Sequence, residues 1–145
     1  MTIRFPVAAV AASLAAGVLV GVALERSAVG YAQAPRRVFE IRTYTAHPGK
    51  LDALNARFRS HTLRLFRKHG LISVGYWIPL DPPRSANTLI YVLTHPDREA
   101  AKKNWEAFRN DPDWVKARTA SEANGPLVGT VDSVFLHATD YSPLR

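Results

Sequence analysis

Four short segments of the chain alternate apolar and polar residues, and two longer segments between them repeat apolar residues at helical spacing. The short segments are rich in β-branched and aromatic residues, which is typical of strands buried on one face. They are residues 38–45 (VFEIRTYT), 71–78 (LISVGYWI), 88–93 (TLIYVL) and 131–138 (VDSVFLHA). The pattern therefore predicts four strands.

The first of the longer segments, residues 50–68, predicts a helix, because its apolar side chains fall on one helical face. These side chains are Leu51, Leu54, Phe58, Leu65 and Phe66. Gly70 follows, and glycine readily adopts the left-handed conformation that ends a helix. The segment thus predicts one continuous helix with a defined end.

The second longer segment is interrupted once. Asp97 is a suitable cap for a helix that runs to about residue 110, and Asp111-Pro112 restarts a short helix through about residue 122. The resulting order is β-α-β-β-α-β, which predicts an α+β fold, the ferredoxin-like sandwich, with helices on one face of an antiparallel sheet. The bare face then needs cover. We expect a second copy of the chain to supply it, so the predicted partner is the protein itself, as a homodimer.

The first strand has an apolar and a polar face. Its apolar positions are Phe39 and Ile41, accompanied by Thr43, and its polar positions are Glu40, Arg42 and Tyr44. We expect the apolar positions to meet the helices and the polar ones to line a cavity between the two sheets of the dimer. Arg42 would there hold an anionic or carbonyl oxygen of a ligand. The alternative is an interface salt bridge between Glu40 and Arg42 beside a packed tyrosine.

Three further residues are candidates for ligand contact. Trp77 and Tyr91 are large side chains on strands of the same sheet, and His61 could act as a base if it turned inward from its helix. The alternative for His61 is an exposed position. The chain has no cysteine and no cluster of metal ligands, phosphate loop or dinucleotide motif. No catalytic residue, metal or cofactor is therefore assigned.

The N-terminal residues 1–34 are expected to be a signal peptide or a membrane anchor, followed by one domain over 35–145. Residues 5–24 carry no charge, and Ala32-Gln33-Ala34 offers the small residues of a cleavage site. Cleaved and anchored forms both stay open. The predicted location is periplasmic or otherwise outside the cytoplasm, with the membrane as a partner through this segment. The alternative is a buried helix of the domain.

The chain carries a formal net charge of +7, which invites comparison with nucleic-acid-binding proteins. Its basic residues are spread along the predicted helices, and no nucleic-acid recognition motif accompanies them. A solvated basic surface, with weak attraction to anionic groups, is the expected consequence. No nucleic-acid partner is predicted.

A set of short motifs between residues 38 and 144 resembles the NIPSNAP family. The motifs are Glu40-Ile41-Arg42-Thr43-Tyr44, Pro48-Gly49-Lys50, His69-Gly70, Gly75-Tyr76-Trp77, Trp105, Asp111-Pro112-Asp113-Trp114 and Ser142-Pro143-Leu144. The resemblance implies a dimeric α/β barrel, in which two ferredoxin-like sheets pack face to face around a cavity. It implies no particular reaction.

Three functions are compatible with this sequence. The first is a homodimer at the cell envelope whose inter-sheet cavity binds a small hydrophobic or aromatic ligand. The second is a cofactor-poor enzyme such as a monooxygenase or an isomerase, by analogy with other dimeric α/β barrels. The third is a scaffold protein whose own side chains fill the cavity. A cavity lined by converging polar groups would favour the enzyme, an apolar cavity the binding protein, and a filled cavity the scaffold.

Overall fold

The computed structural model of the protein describes residues 37–144, so the predicted signal peptide or anchor at 1–34 lies outside the described residues. The strands are β1 (Val38–Ala46), β2 (Ile72–Trp77), β3 (Thr88–His95) and β4 (Val128–His137). The helices are α1 (Leu51–Arg57), α2 (Leu63–Lys68), α3 (Arg98–Arg109) and α4 (Pro112–Ser121). All four predicted strands are present. β3 extends two residues beyond its predicted end, and β4 begins three residues before its predicted start.

The four strands form one antiparallel sheet in the order β2-β3-β1-β4. β1 lies in the interior of the sheet, and each of its residues from 38 to 45 faces one residue on β3 and one on β4. Arg42, for example, is opposite Tyr91 on β3 and Ser133 on β4. This order, with the helices between the strands in sequence, confirms the ferredoxin-like α+β prediction.

The first helical segment is not uniform, in contrast to the prediction of one regular helix. A π-helical turn, Phe58–Thr62, joins α1 to α2. The backbone N–H of Leu63 donates to the carbonyl of Phe58, five residues earlier, and the hydroxyl of Thr62 donates to the carbonyl of Arg57 at 3.3 Å. The wide turn buries Arg57, Phe58 and Thr62 together. Such turns frequently occur at functional sites.

Helices α3 and α4 begin where the sequence predicted, each after an aspartate cap. The side chain of Asp97 accepts a hydrogen bond from the N–H of Ala100 at 2.7 Å, and Asp111 accepts one from Asp113 at 2.8 Å. The second carboxylate oxygen of Asp111 contacts Lys68 and His69. Hydrogen bonds from Lys68 and then His69 hold the pKa of Asp111 well below its ordinary range. Asp111 therefore ties the end of α2 to the start of α4.

The core between sheet and helices is a cluster of aromatic rings. Phe66 on α2 lies 5.4 Å from Trp105 and 5.0 Å from Phe108, both on α3, measured between ring centroids. Phe58 lies 5.4 Å from Tyr91 on β3. Most of these pairs meet edge to face, which is a favourable arrangement for aromatic rings. Tyr91 is completely buried in this cluster and does not face the bare side of the sheet.

The assignment of the two faces of β1 was wrong. Glu40, Arg42 and Tyr44 point toward the helices, since Trp105 donates a hydrogen bond to Glu40 and Tyr44 lies 6.1 Å from the ring of Phe58. They do not line a space between two sheets. The polar side chains are accepted on the helix side because the Glu40 carboxylate has four hydrogen-bond partners there and pairs with the charge of Arg42.

The bare face of the sheet is consequently apolar. Its residues come from all four strands and are exposed or half-buried: Phe39, Ile41, Ile72, Trp77, Ile90, Val92, Val134 and Leu136. Trp77 is 51% exposed, and its ring lies over Gly75, where a Cβ atom would be 2.6 Å from the ring. The C-terminal residues Ser142 and Leu144 lie beside one edge of this face. Within 37–144, no helix has both the length and the apolar character to cross a membrane.

Candidate functional site

Glu40 is the centre of a buried hydrogen-bond network. One carboxylate oxygen accepts from Arg42 Nη1 at 2.6 Å and from the hydroxyl of Ser133 at 2.7 Å. The other accepts from Trp105 Nε1 at 2.7 Å and lies 3.0 Å from His95 Nε2. Glu40 is only 1% exposed, so these four groups replace the water that a carboxylate normally requires.

The network keeps Glu40 ionised. Burial alone would raise the pKa of its carboxyl group, but the hydrogen bonds from His95, Trp105, Ser133 and Arg42 outweigh burial and lower the pKa to about 2. Glu40 therefore carries a negative charge at any ordinary pH. Its charge compensates that of Arg42 and fixes the direction of the Arg42 side chain.

Arg42 lies between two aromatic rings. Its guanidinium carbon is 4.3 Å from the ring centroid of Trp105 and 5.6 Å from that of Tyr44, which are favourable cation–π distances. One Nη nitrogen is used by Glu40, whereas Nε is buried and has no hydrogen-bond partner in the described part of the chain. Glu40 and the two rings therefore hold the Arg42 guanidinium in a fixed position.

A cavity of about 290 Å³ opens beside Arg42, between β1 and the helices of the same protomer. Its wall is largely aromatic, with Tyr44, Phe58, Phe66, Trp105, Phe108 and Trp114 as lining residues. The π-helical turn contributes Phe58 and Thr62 to this wall. The cavity therefore combines flat apolar surfaces with a few polar groups, as small-molecule sites usually do.

A second arginine lines the cavity from the helix side. Arg57 Nη1 donates to Glu122 at 2.7 Å and to the hydroxyl of Ser121 at 3.2 Å, and its guanidinium carbon lies 5.2 Å from the ring of Trp114. Its Nε, like that of Arg42, is buried without a hydrogen-bond partner among residues 37–144. Glu122 also accepts from Arg118 at 3.1 Å. Burial would raise the pKa of Glu122, but the two arginines lower it.

The candidates from the sequence are thus separated by the fold. Arg42 and Tyr44 line the cavity, and Glu40 lies behind Arg42. Tyr91 is packed against Tyr44 at 5.2 Å, and burial raises the pKa of its hydroxyl well above the ordinary value, so it stays protonated. Trp77 lies on the opposite face of the sheet.

His61 is on the exposed side of the π-helical turn and does not line the cavity. The exposed position, given as its alternative, is the one observed. Within 37–144, no three side chains from His, Asp and Glu are grouped closely enough to hold a metal ion.

Four residues of the site were not predicted from the sequence. Trp105 and Trp114 were named only as parts of short motifs, and Arg57 and His95 were given no role. A signal existed for two of them. His95 continues the buried alternation Leu89, Tyr91, Leu93 along β3, and Arg57 lies three residues after Leu54 on the apolar stripe of its helix.

Comparisons with known proteins agree with this architecture. A NIPSNAP-like domain protein from Burkholderia xenovorans superimposes with a TM-score of 0.65 at 17% identity, over 75% of this chain and 90% of that chain. A NIPSNAP family protein of unknown function from Agrobacterium tumefaciens gives a TM-score of 0.66 at 17% identity, over 77% and 96%. A Streptomyces coelicolor monooxygenase in complex with nanaomycin D gives 0.53 at 17% identity, over 74% and 92%.

At these identities the structural similarity shows a shared fold and nothing about chemistry. No curated protein matches the sequence. The sequence profile of the NIPSNAP family, however, matches residues 39–143, which is most of the chain. This match agrees with the resemblance carried by the short motifs. The chain therefore belongs to the NIPSNAP family.

Proposed function

We propose that this NIPSNAP protein binds a small aromatic or hydrophobic ligand in the cavity between its sheet and its helices. The observation that carries the proposal is an open, aromatic-lined cavity that Arg42 lines while Glu40 and Trp105 hold its guanidinium in place. The site lies within one protomer. It replaces the inter-sheet cavity that the sequence suggested, because the polar face of β1 is turned toward the helices.

The size and the wall of the cavity support a small, flat ligand. A volume of about 290 Å³ is at the lower end of known ligand sites. Trp105 and Trp114 contribute large aromatic surfaces, and rings of a ligand can pack against them edge to face or in offset stacks. A scaffold role, with the cavity filled by the protein's own side chains, receives no support from this geometry.

Arg42 supports the proposal because its position is fixed before a ligand arrives. Glu40 holds one end of the guanidinium, and Trp105 covers its face. A preorganised donor loses little conformational entropy on binding. Its hydrogen bond to a ligand oxygen therefore increases the affinity with little entropic cost.

Val131→Trp is expected to block the site without harming the fold. Val131 lines the cavity and is 46% exposed, so a larger side chain there enters the cavity without displacing the core. We expect at least a roughly tenfold loss of affinity for a small aromatic probe such as a naphthalene derivative, corresponding to about 1.4 kcal/mol. Isothermal titration with the full chain measures this change.

The matched control is Val115→Trp. Val115 lies on α4, is 51% exposed, and does not line this cavity. It should bind the probe like the wild type. Equal affinity of all three proteins would contradict the assignment of the cavity as the binding site.

We further propose a homodimer in which the bare sheet faces of two copies pack together. The support is the apolar character of that face, which a monomer would leave in water. A second copy brings an identical face, so a two-fold arrangement buries both at once. The family's dimeric α/β barrel implies the same arrangement.

Val134→Glu tests the dimer. Val134 is 46% exposed on the bare face, opposite Ile41, and a charge there would be buried without a partner in the dimer. We expect the variant to be a folded monomer at micromolar concentration by light scattering. Val115→Glu, on the helix side, should leave the dimer intact. A wild-type protein that is monodisperse as a monomer would contradict the proposal.

Export or membrane tethering through residues 1–34 stays part of the proposed function, supported by the uncharged segment at 5–24. A cofactor-poor monooxygenase is the alternative function. Its support is the fold that the chain shares with the Streptomyces coelicolor monooxygenase. Ligand binding is preferred because it rests on the cavity of this chain itself.

A further inference from the structure

We infer that the ligand of the cavity is a small aromatic anion. Arg57, on α1, is a second residue that binds it, in addition to Arg42 on β1. This inference rests on the proposed function and specifies the class of ligand. It follows from the charges around the cavity and from the hydrogen bonds that those charges already make.

The cavity has more positive than negative charge. Four of its lining residues are arginines, namely Arg42, Arg57, Arg109 and Arg118. The lining residues include one carboxylate, Glu122, and a second, Glu40, lies directly behind Arg42. Two positive charges are therefore left without a compensating carboxylate around the cavity.

The two carboxylates have no free oxygen to offer. Both oxygens of Glu40 accept two contacts each, from Arg42, Ser133, Trp105 and His95. The oxygens of Glu122 are divided between Arg57 and Arg118. The surplus charge therefore needs solvent or a bound anion for its neutralisation.

Arg57 is the second arginine that lines the cavity from a buried position. Its side chain is 4% exposed, which is unusual for an arginine, and its Nε has no hydrogen-bond partner within 37–144. It comes from the helix side of the cavity, whereas Arg42 comes from the sheet. A negatively charged oxygen makes stronger hydrogen bonds to a guanidinium than a neutral oxygen does. Two such donors with surplus charge favour an anion over a neutral aromatic compound.

The surface next to the cavity has the same sign. A neighbouring depression of about 400 Å³ is lined by Arg98 and Lys102 of α3, and Arg42 and Arg109 line both spaces. Glu99 is the one acidic residue exposed in this depression. Basic residues along the approach raise the local concentration of an anion and speed its association.

The test compares two probes of nearly equal shape, 2-naphthoate and 2-naphthamide, which differ in charge. With the full chain at low salt, we expect 2-naphthoate to bind at least about tenfold more tightly by isothermal titration, and the preference to fall as salt is added. Arg57→Met should remove most of this preference and leave the affinity for 2-naphthamide almost unchanged.

Arg57→Met could lose stability, because Glu122 then keeps Arg118 as its one arginine partner. A second variant therefore tests the effect of positive charge at a residue that is not needed for folding. Arg109→Met removes an exposed arginine that makes no ion pair within 37–144 and should lower the affinity for 2-naphthoate severalfold without lowering the melting temperature. Lys103→Met is the control. Lys103 is also exposed on α3 but lines neither space, so its removal should change neither affinity.

The outcomes separate this inference from the proposed function. Equal binding of the two probes, blocked by Val131→Trp, would overturn the anion and leave the proposed function standing. A preference for 2-naphthoate that survives Arg57→Met would overturn the role of Arg57, and one that is unchanged by Arg109→Met would overturn the role of the surplus charge. Failure of both probes to bind at millimolar concentration would contradict the proposed function, and this inference with it.

Discussion

Replacing Glu40 by alanine is expected to lower the free energy of unfolding by about 3–5 kcal/mol, as is typical when one partner of a buried ion pair is removed. The change removes the acceptor for Trp105 and Ser133 and leaves the charge of Arg42 without its counterion. His95, which is completely buried, loses its contact as well. Urea unfolding of the wild type and the variant measures the difference.

Two further variants make this result interpretable. Glu40→Gln keeps the volume and part of the hydrogen bonding, so we expect a smaller loss than with alanine. Glu106→Gln removes an exposed carboxylate on α3 and should change stability by no more than about 0.5 kcal/mol. If Glu40→Ala cost no more than Glu106→Gln, Glu40 would not be a structural centre, and the fixed position of Arg42 would lose its basis.

The order of the elements could be predicted because their signals are local. Asp97 and Asp111 cap helices through contacts with residues two and three positions ahead, and these contacts need no tertiary information. Gly70 has a φ angle of +69°, which few other residues adopt, and it ends α2 as expected. Once the boundaries of the helices and strands are known, their order along the chain is compatible with few folds other than the ferredoxin-like one.

The face of β1 could not be predicted because it depends on partners far away in sequence. Alternation separates Phe39 and Ile41 from Glu40 and Arg42, but it does not say which pair meets the helices. The usual rule, that apolar residues face the helices, fails here because Glu40 and Arg42 find partners on the helix side. Trp105 and Ser133, 65 and 93 residues after Glu40, satisfy its carboxylate and allow the polar face to be the inner one.

The sequence therefore predicted some residues of the candidate site but placed the cavity on the wrong side of the sheet. Arg42 and Tyr44 were expected to touch a ligand and do line a cavity, but that cavity lies on the helix side of the sheet. Arg57, at the end of α1, lines the same cavity beside Phe58 and Thr62 of the π-helical turn. A π-helical turn inserts one extra residue per turn without a distinctive sequence pattern, so periodicity alone did not indicate it.

The orientation of β1 also connects the two proposals. Because the polar residues are used on the helix side, the bare face keeps Phe39, Ile41 and their apolar neighbours, and the case for a sheet-to-sheet dimer becomes stronger than the sequence alone made it. The same orientation places the proposed ligand site inside each copy of the chain. The proposed ligand site and the proposed dimer interface thus use opposite faces of one sheet, so Val134→Glu should not abolish probe binding if the monomer stays folded.

The protein is expected to lose stability in acid in a way that depends on Glu40. The pKa of Glu40 falls from an ordinary 4.5 to about 2 in the folded chain, where hydrogen bonds overcome the effect of burial. A lowered pKa means that folding favours the ionised form. The contribution is fully present above the unfolded value of 4.5, and it is lost as the pH falls toward about 2. A shift of this size corresponds to about 3 kcal/mol.

The measurement is the free energy of unfolding in urea between about pH 7 and about pH 3, for the wild type and for Glu40→Gln, whose side chain does not titrate. The advantage of the wild type should be constant down to about pH 5 and should then shrink steadily. Glu122 and Asp111 also have lowered pKa values, so the variant will still lose some stability in the same range. The decisive quantity is the difference between the two curves. Parallel curves throughout this range would show that Glu40 is not held ionised by its network.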